Sequence, residues 1–559
     1  MRGVEESTAR ARSRRPSREN LISLLLFLLI AIAWSSAPFF RPGLLNGDTF
    51  LFHDHSYSLF AADQLLAGKV LFRDVFYQYG VLTAYVHAGW AALFGNTILS
   101  YWHLAQLLTC IGVIQLWLLL RRSQPPWLAF AFVVVVLLPY FLVPGGSIVG
   151  VGASVYLGLE RVCLLSIALV WRSPASRNLN TALLLGGLLG LMQWIKFGGA
   201  FVAGASLLVA DLLALSYESG DRTRWLRWLR LSFVTLLGFL VVEGSLIGLL
   251  YVLLPSQLAS EMLWPSWMVQ NYEAYRYKSV SLVHWFNFNY FLGVQLPLCA
   301  AVVVGLMFGG RLLLKRNTVP AEGQAEFLRA AGPAFFLVIF FPVALLIYLP
   351  HMWVAMTYVW MILLPAAFFL RKTPRWCLGL FLVLCTPAFL LSVKGVVNPK
   401  VNELRPVHLA KDTLWLSPAT EEQLNKLQRV LAQLEQERGG MALDRPAILG
   451  FPMGSGFHHF LGYPAATRHA WFMSGFVQPR EEETLVQSLD RTLAIVVYFQ
   501  EPRTDPPSPD PSTWEFYTTP VFTRATCLAI AGRLQSPIEV DASCWVFPVQ
   551  TGPRPASSR

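Results

Sequence analysis

The sequence predicts a mainly α-helical protein that crosses a membrane many times and ends in a separate α/β domain. Three observations predict it. Hydrophobic residues make up 55% of the 559-residue chain and charged residues 14%, about half the charged share of an ordinary soluble domain. Nearly uncharged stretches of roughly 20 residues recur through the first 393 positions, each long enough to cross a bilayer. Beyond residue 393 they stop, and helical and strand-like patterns of a water-exposed domain take over.

Residues 1–20 form a basic tail, MRGVEESTARARSRRPSREN. The run LISLLLFLLIAIAWSSAPFF follows it without a small-x-small cleavage site, which predicts a retained first span. Candidate spans lie at 21–38, 99–120, 126–143, 155–171, 180–195, 198–216, 231–254, 288–308, 332–349, 353–370 and 376–393, about eleven in all. With residues 1–20 in the cytoplasm, the inward loops are RRSQPP, WRSPASRN, ESGDRTRWLRWLR, RLLLKRNTVPAEGQAEFLR and RKTPR. Each carries the positive charge expected of cytoplasmic loops. The net charge of +11 therefore reflects membrane topology, not nucleic-acid binding.

The segment YGVLTAYVHAGWAALFG (79–95) is short for a span, and a crossing there would move Arg121 and Arg122 outside. It is expected to lie along the outer interface. The transmembrane region is thus 21–393, with a large outer loop over 39–98, and residues 394–559 form an exported α/β domain. That domain contains the helical pattern EEQLNKLQRVLAQLEQER, the strand-like runs PAILGF, LAIVVYF and SCWVFPV, and the Pro-rich loop EPRTDPPSPDPST. Cys110, Cys163, Cys299, Cys377 and Cys385 lie in apolar runs, and no CxxC or Cys/His cluster suggests a metal framework. Cys527 and Cys544 lie in the polar tail and could pair if that tail is exported.

Ionisable residues concentrate in the outer loop, in FHDHSYSLFAADQLLAGKVLFRDVFYQYG. SYSLFAADQLLAG predicts a helix with Leu59, Ala62 and Leu66 on one face and Gly68 near its end. Asp54 stands just before it and reads both as a helix N-cap and as a general base at the lip of a membrane cavity; the two are compatible. Arg73 and Asp74 read either as a mutual pair or as part of a site. His53 and His55 flank Asp54, but His-Asp-His supplies no further placed ligand, so no cofactor is implied and a divalent metal stays open. Glu160 and Arg161 on the fourth span, Lys196 in MQWIKFGG and His351 in YLPHMW all map to the same outward side. Charges beside spans are costly in lipid and mark polar cavities, although snorkelling accounts equally for Arg161 and Lys196. The aromatic residues of the loop at 255–288, such as Trp264, Tyr272 and Trp285, fit an interfacial belt.

HDHSYSLFAADQLLAGKVLFRDVFYQYGVLTAYVHAGWAALFG (53–95) resembles the first outer loop of bacterial membrane glycosyltransferases of the GT-C fold. The shared pattern is an acidic residue, A..LL.G, YRDF...YGP and a short helix ending in LFG. The resemblance is to the lipopolysaccharide-core galacturonosyltransferase kind and, more distantly, to aminoarabinose transferase and protein O-mannosyltransferases. GLLGLMQWIKFGG also looks like the family's small-residue span with a Lys before Gly. Two departures stand out: Asp54-His55 replaces two consecutive acids, and YGV, with Tyr79, replaces YGP. A second carboxylate, if one is needed, falls to Asp74 or Glu160. PAILGFPMGSGFHHFLGYPAATRHAWFMSGF is similar to exported tails of this group and suggests no chemistry by itself.

The resemblance implies sugar transfer from a polyprenyl-phosphate donor to a lipid, glycan or protein acceptor outside the cytoplasm, at the plasma (inner) membrane. Asp54 would be the base. Arg161, Lys196 and Arg73 would offset phosphate charge, with His55, Tyr79, Glu160 and His351 lining the substrate site. Two alternatives of other classes remain: a transporter or flippase of a lipid-linked sugar, whose charges would cluster near the midplane, and a non-catalytic membrane scaffold.

Overall fold

A computed structural model describes residues 54–77, 79–122, 155–195, 199–217, 222–256, 403–438, 446–472, 477–499, 502–514 and 521–550, with a few isolated positions. The candidate spans at 126–143, 288–308, 332–349, 353–370 and 376–393, nearly all of 21–38, and the aromatic residues of 264–285 lie outside these ranges.

Apolar runs within them are helices: α1 (Asp54–Leu66), α2 (Val81–Phe94), α3 (Ile98–Leu120), α4 (Val155–Val170), α5 (Leu179–Ile195), α6 (Gly199–Tyr217) and α7 (Arg222–Leu253). α3 and α7 are long and apolar enough to cross a membrane. α7 exposes Leu229, Phe233, Leu236, Leu240 and Val241, a continuous apolar face that suits lipid and not water. It also begins nine residues earlier than the expected span at 231, so RTRWLRWLR is helix and not loop. Its arginines and leucines are good helix formers, and Arg222, Arg224 and Arg230 point outward.

α5 and α7 touch backbone to backbone. A methyl group added at Gly186 would lie 1.9 Å from the Thr235 carbonyl, and one at Gly238 would lie 2.5 Å from the Leu183 carbonyl. Small residues at such a crossing let two apolar helices approach closely where no hydrophobic effect drives them together.

The C-terminal domain opens with the antiparallel hairpin β1 (Arg405–His408) and β2 (Thr413–Leu416), then α8 (Pro418–Glu437). Ser417 caps α8, accepting from the Thr420 N–H, with Pro418 in the first turn. A four-stranded sheet follows in the order β3 (Ala447–Phe451), β4 (Thr492–Tyr498), β6 (Cys544–Pro548), β5 (Ile538–Asp541); β3 and β4 are parallel and the other pairs antiparallel. The strand-like runs of the sequence are β3, β4 and β6. Alternation places Ala494, Val496, Cys544 and Val546 on the face covered by α8, through Leu424, Leu427 and Leu431. Ile495, Val497, Trp545 and Phe547 face the layer of α10 (Pro479–Ser488) and α11 (Arg524–Ala531). Cys527, on α11, shares that second layer, and both it and Cys544 are free thiols. The pairing expected from sequence fails because the sheet separates them.

The domain does not stand apart. One continuous core joins Leu59 of α1 and Ile98, Tyr101 and Leu104 of α3 to Leu414, Phe457, Phe460 and Val546 of the domain. Replacing Gly186 with Leu is expected to part α5 from α7 and lower the midpoint of thermal unfolding in detergent by several degrees, read by differential scanning fluorimetry. A conservative Leu191→Ile on the exposed side of α5 is expected to leave it unchanged.

Candidate functional site

α1 begins at Asp54 itself, so this residue occupies the first turn, where backbone N–H groups point outward. Residues 56–62, SYSLFAA, are all buried. Leu59 and Ala62 are at 0% exposure, whereas Leu66, expected on the same face, is 47% exposed. The helix ends there, and Gly68 at φ +79° turns the chain away.

The first turn is tied to α3 and α4. Tyr101 Oη accepts from the Val155 N–H at 3.1 Å and lies 3.2 Å from His55 Nδ1. With its oxygen accepting, the phenol proton is available to His55. Tyr79 stacks on Tyr156 at 4.1 Å and 10°, and Tyr156 precedes Glu160 by one helical turn. Glu160 and Arg161 are buried, and Arg161 Nε donates to the Leu157 carbonyl at 3.1 Å. His55, through Tyr101, and Tyr79, through Tyr156, thus both reach the first turn of α4, the helix that carries Glu160 and Arg161.

α5 reaches the same place. The Gly80 N–H and the Thr83 hydroxyl both donate to the Ile195 carbonyl at 3.1 Å. A Cβ at residue 80 would lie 2.0 Å from the Trp194 carbonyl oxygen, so only glycine fits. Lys196 follows directly in the chain but lies outside the described residues, as does His351.

Arg73 and Asp74 are paired with each other. Arg73 Nη2 donates to Asp74 Oδ2 at 2.8 Å, and the Val70 N–H donates to the same oxygen at 2.8 Å. The Arg73 guanidinium beside Asp74 holds its carboxyl below the usual range. The turn is tight, with Phe72 in the left-handed region at φ +68°, a conformation a bulky residue adopts only when its surroundings hold it. The holding groups come from the C-terminal domain: Arg468 donates to the Phe72 carbonyl, and the Phe76 N–H donates to the Arg468 carbonyl at 2.8 Å. Among the described residues no group of three His, Cys, Asp or Glu has metal-binding geometry.

Sequence reasoning missed the partners supplied by PAILGFPMGSGFHHFLGYPAATRHAWFMSGF. Its helix α9 (Ser455–Leu461) packs against α1. Ser455 Oγ lies 2.8 Å from Ser56 Oγ and accepts from Trp471 Nε1 at 2.9 Å. Trp471 stacks on Tyr57 at 4.5 Å, and the Tyr57 hydroxyl donates to the Phe76 carbonyl at 2.7 Å. Glu481 takes Arg468 and His469, and although burial raises its carboxyl, these two partners pull it down to about 2. The density of His and aromatic residues in this stretch was the available signal, but nothing local says what they face.

No family model matches the chain, and no curated protein matches it. Among solved structures it is similar to ArnT from Cupriavidus metallidurans bound to undecaprenyl phosphate, at 14% identity and TM-score 0.47 over 94% of this chain and 97% of that one. It is also similar to the oligosaccharyltransferase of Archaeoglobus fulgidus in complex with zinc and sulfate, at 11% identity and TM-score 0.45 over 84% of this chain and 68% of that one.

Gly80→Ala is expected to push the loop off the end of α5 and lower thermal stability by about 1–3 kcal/mol, measured by denaturation in detergent. A second outcome concerns pH. Burial pushes the imidazole of His458 down to about 4, so the folded chain holds it neutral. Stability is expected to fall as pH drops from about 6.5 towards 4, where the unfolded chain takes up this proton first, and His458→Gln is expected to flatten that fall in a pH series of melting midpoints.

Proposed function

We propose that the protein is a membrane glycosyltransferase that moves a sugar from a polyprenyl-phosphate donor to an extracytoplasmic lipid, glycan or protein acceptor. The observation that supports it best is that His55, through Tyr101, and Tyr79, through Tyr156, both reach the first turn of α4, the helix that carries Glu160 and Arg161, while Asp54 opens α1. There the loop after α1 abuts the start of the apolar helix α4, through Tyr79 on Tyr156, and the end of α5, through the Gly80 N–H on the Ile195 carbonyl. A long-tailed donor needs such a place, with its chain among apolar helices and its headgroup among polar residues.

In the proposed reaction the carboxylate of Asp54 takes the proton of the acceptor hydroxyl. The acceptor oxygen attacks the anomeric carbon from the face opposite the phosphate, and the carbon–oxygen bond to the phosphate breaks with its electron pair passing to the leaving group. One displacement inverts the anomeric centre. The first turn of a helix favours a carboxylate's charged form, the form a base needs at neutral pH. A phosphate monoester of a polyprenol leaves without a general acid, unlike the paired carboxylates of glycoside hydrolysis. Arg161, Lys196 and Arg73 are the cations assigned to the growing phosphate charge, Tyr79, Glu160, His55 and His351 the groups that orient sugar and acceptor, and Asp74 the reserve carboxylate.

The test is transfer by purified protein from a panel of polyprenyl-phosphate sugars. Asp54→Asn is expected to lower turnover about 10²–10⁴-fold while donor binding persists. Full transfer by this variant removes Asp54 as the base. Movement of a labelled lipid-linked sugar across vesicles without any transfer replaces the enzyme reading with transport.

A further inference from the structure

Resting on the proposed reaction, we propose that His459 of the C-terminal domain is a positioning residue for the outer-loop helix, acting as an ionised bridge between Asp63 and Asp412. His459 lies on α9 at 0% exposure, with Nδ1 at 2.7 Å from Asp63 Oδ2 and Nε2 at 4.0 Å from Asp412 Oδ2. Asp63 sits on α1, nine residues after Asp54. Asp412 sits in the β1–β2 turn, where it also accepts from the Ile98 and Thr413 N–H groups. The hydrogen bond to Asp63 fastens α9 to α1, while Asp412, which holds the start of α3, faces Nε2 at ion-pair distance without a hydrogen bond.

Charge decides its state. Two carboxylates converge here, and Lys411 supplies one cation, its Nζ 2.9 Å from Asp63 Oδ2. Asn96 adds a neutral donor at 3.0 Å to Asp63 Oδ1 and holds the Leu59 carbonyl at 2.8 Å. The cluster is neutral when His459 carries its proton and has an uncompensated negative charge when it does not. Buried charge without compensation is costly, so docking and protonation support each other. Of the two neighbouring histidines, only His87 acts on this cluster. His87 of α2 is buried, with Nδ1 3.1 Å from the Ser58 carbonyl. His458 points the other way, with Nδ1 3.0 Å from the Tyr463 carbonyl and its ring 5.3 Å from Phe60.

Burial pulls the His459 imidazole down, but Asp412 and Asp63 outweigh it and leave it raised. Because docking raises the pKa, the bridge contributes fully below the ordinary value near 6.5 and is lost as pH climbs through the raised one. The consequence is an alkaline limit on the order of the loop, opposite in direction to the acid limit set by His458.

The experiment is hydrogen exchange of the full-length protein in detergent, corrected for intrinsic rates, on peptides covering 54–66 and 455–461 from pH 5 to pH 10. Sugar transfer is followed in parallel. Wild type is expected to lose protection in both peptides together at alkaline pH, about tenfold for each unit by which docking raises the imidazole pKa. kcat should fall over the same interval. His459→Gln is expected to show the weaker protection at every pH with no alkaline step. Asp412→Asn leaves the 2.7 Å contact and should move the step to lower pH. A wild type without the step, or a step unchanged in His459→Gln or in Asp412→Asn, overturns the bridge. If wild type turns over no sugar donor, the proposed reaction fails while the exchange pattern still decides the bridge.

Discussion

α1 has no face to the solvent over two turns, and the placement of everything near Asp54 depends on that. A helix buried all round needs a wall on each side. α2 and α3 form one wall, the loop of residues 71–80 a second, and the C-terminal domain a third. Its polar groups find partners in different walls, as buried polar groups must. Ser56 meets Ser455, Ser58 meets Tyr77 at 3.0 Å, and Asp63 meets His459, Lys411 and Asn96. A helix held from three sides cannot slide or rotate without breaking contacts on all of them, and its first turn inherits that rigidity.

The apolar helices carry the other half of the constraint. α5 runs from the Gly80 contact at Ile195 to a second anchor at its opposite end. There Arg177 forms a bidentate pair with Asp211 at 2.7 and 2.5 Å, and Trp171 donates to the same carboxylate at 3.1 Å. That buried pair joins the end of α4, the start of α5 and the body of α6, and removing one partner would leave a stranded charge. A helix fixed at both ends transmits the position of the loop at Gly80 to the bundle. Close packing against α7 through Gly186 and Gly238 keeps it from tilting.

Much of this was legible in the residues. Apolar length located α3, α4, α5 and α6 to within a residue or two, because a helix in an apolar phase has few other ways to satisfy its backbone. The strands PAILGF, LAIVVYF and SCWVFPV were legible for a related reason: short apolar runs between breakers have few other homes. α7 was misjudged at its start, since arginines between tryptophans read as a loop by charge although they favour helix. The Cys527–Cys544 pairing failed because composition cannot tell which face of a sheet a residue takes. The largest omission was Asp63 with His459. They stand 396 positions apart, and pairing at that separation is set by the docking of whole elements, not by any local pattern. Of the candidate site, His55 and Tyr79 each reach the first turn of α4 through one aromatic partner, and Arg73 and Asp74 pair with each other in a tight turn.

The placement of the first turn of α1 depends on α1 and the C-terminal domain forming one body. A cysteine pair at Ser56 and Ser455, whose oxygens lie 2.8 Å apart, measures this directly when a protease site is inserted between α7 and β1. Cleavage of the double variant should leave the two fragments joined until a reductant is added, with either single variant separating at once. Fragments that separate without reductant, from protein that still folds, would contradict it.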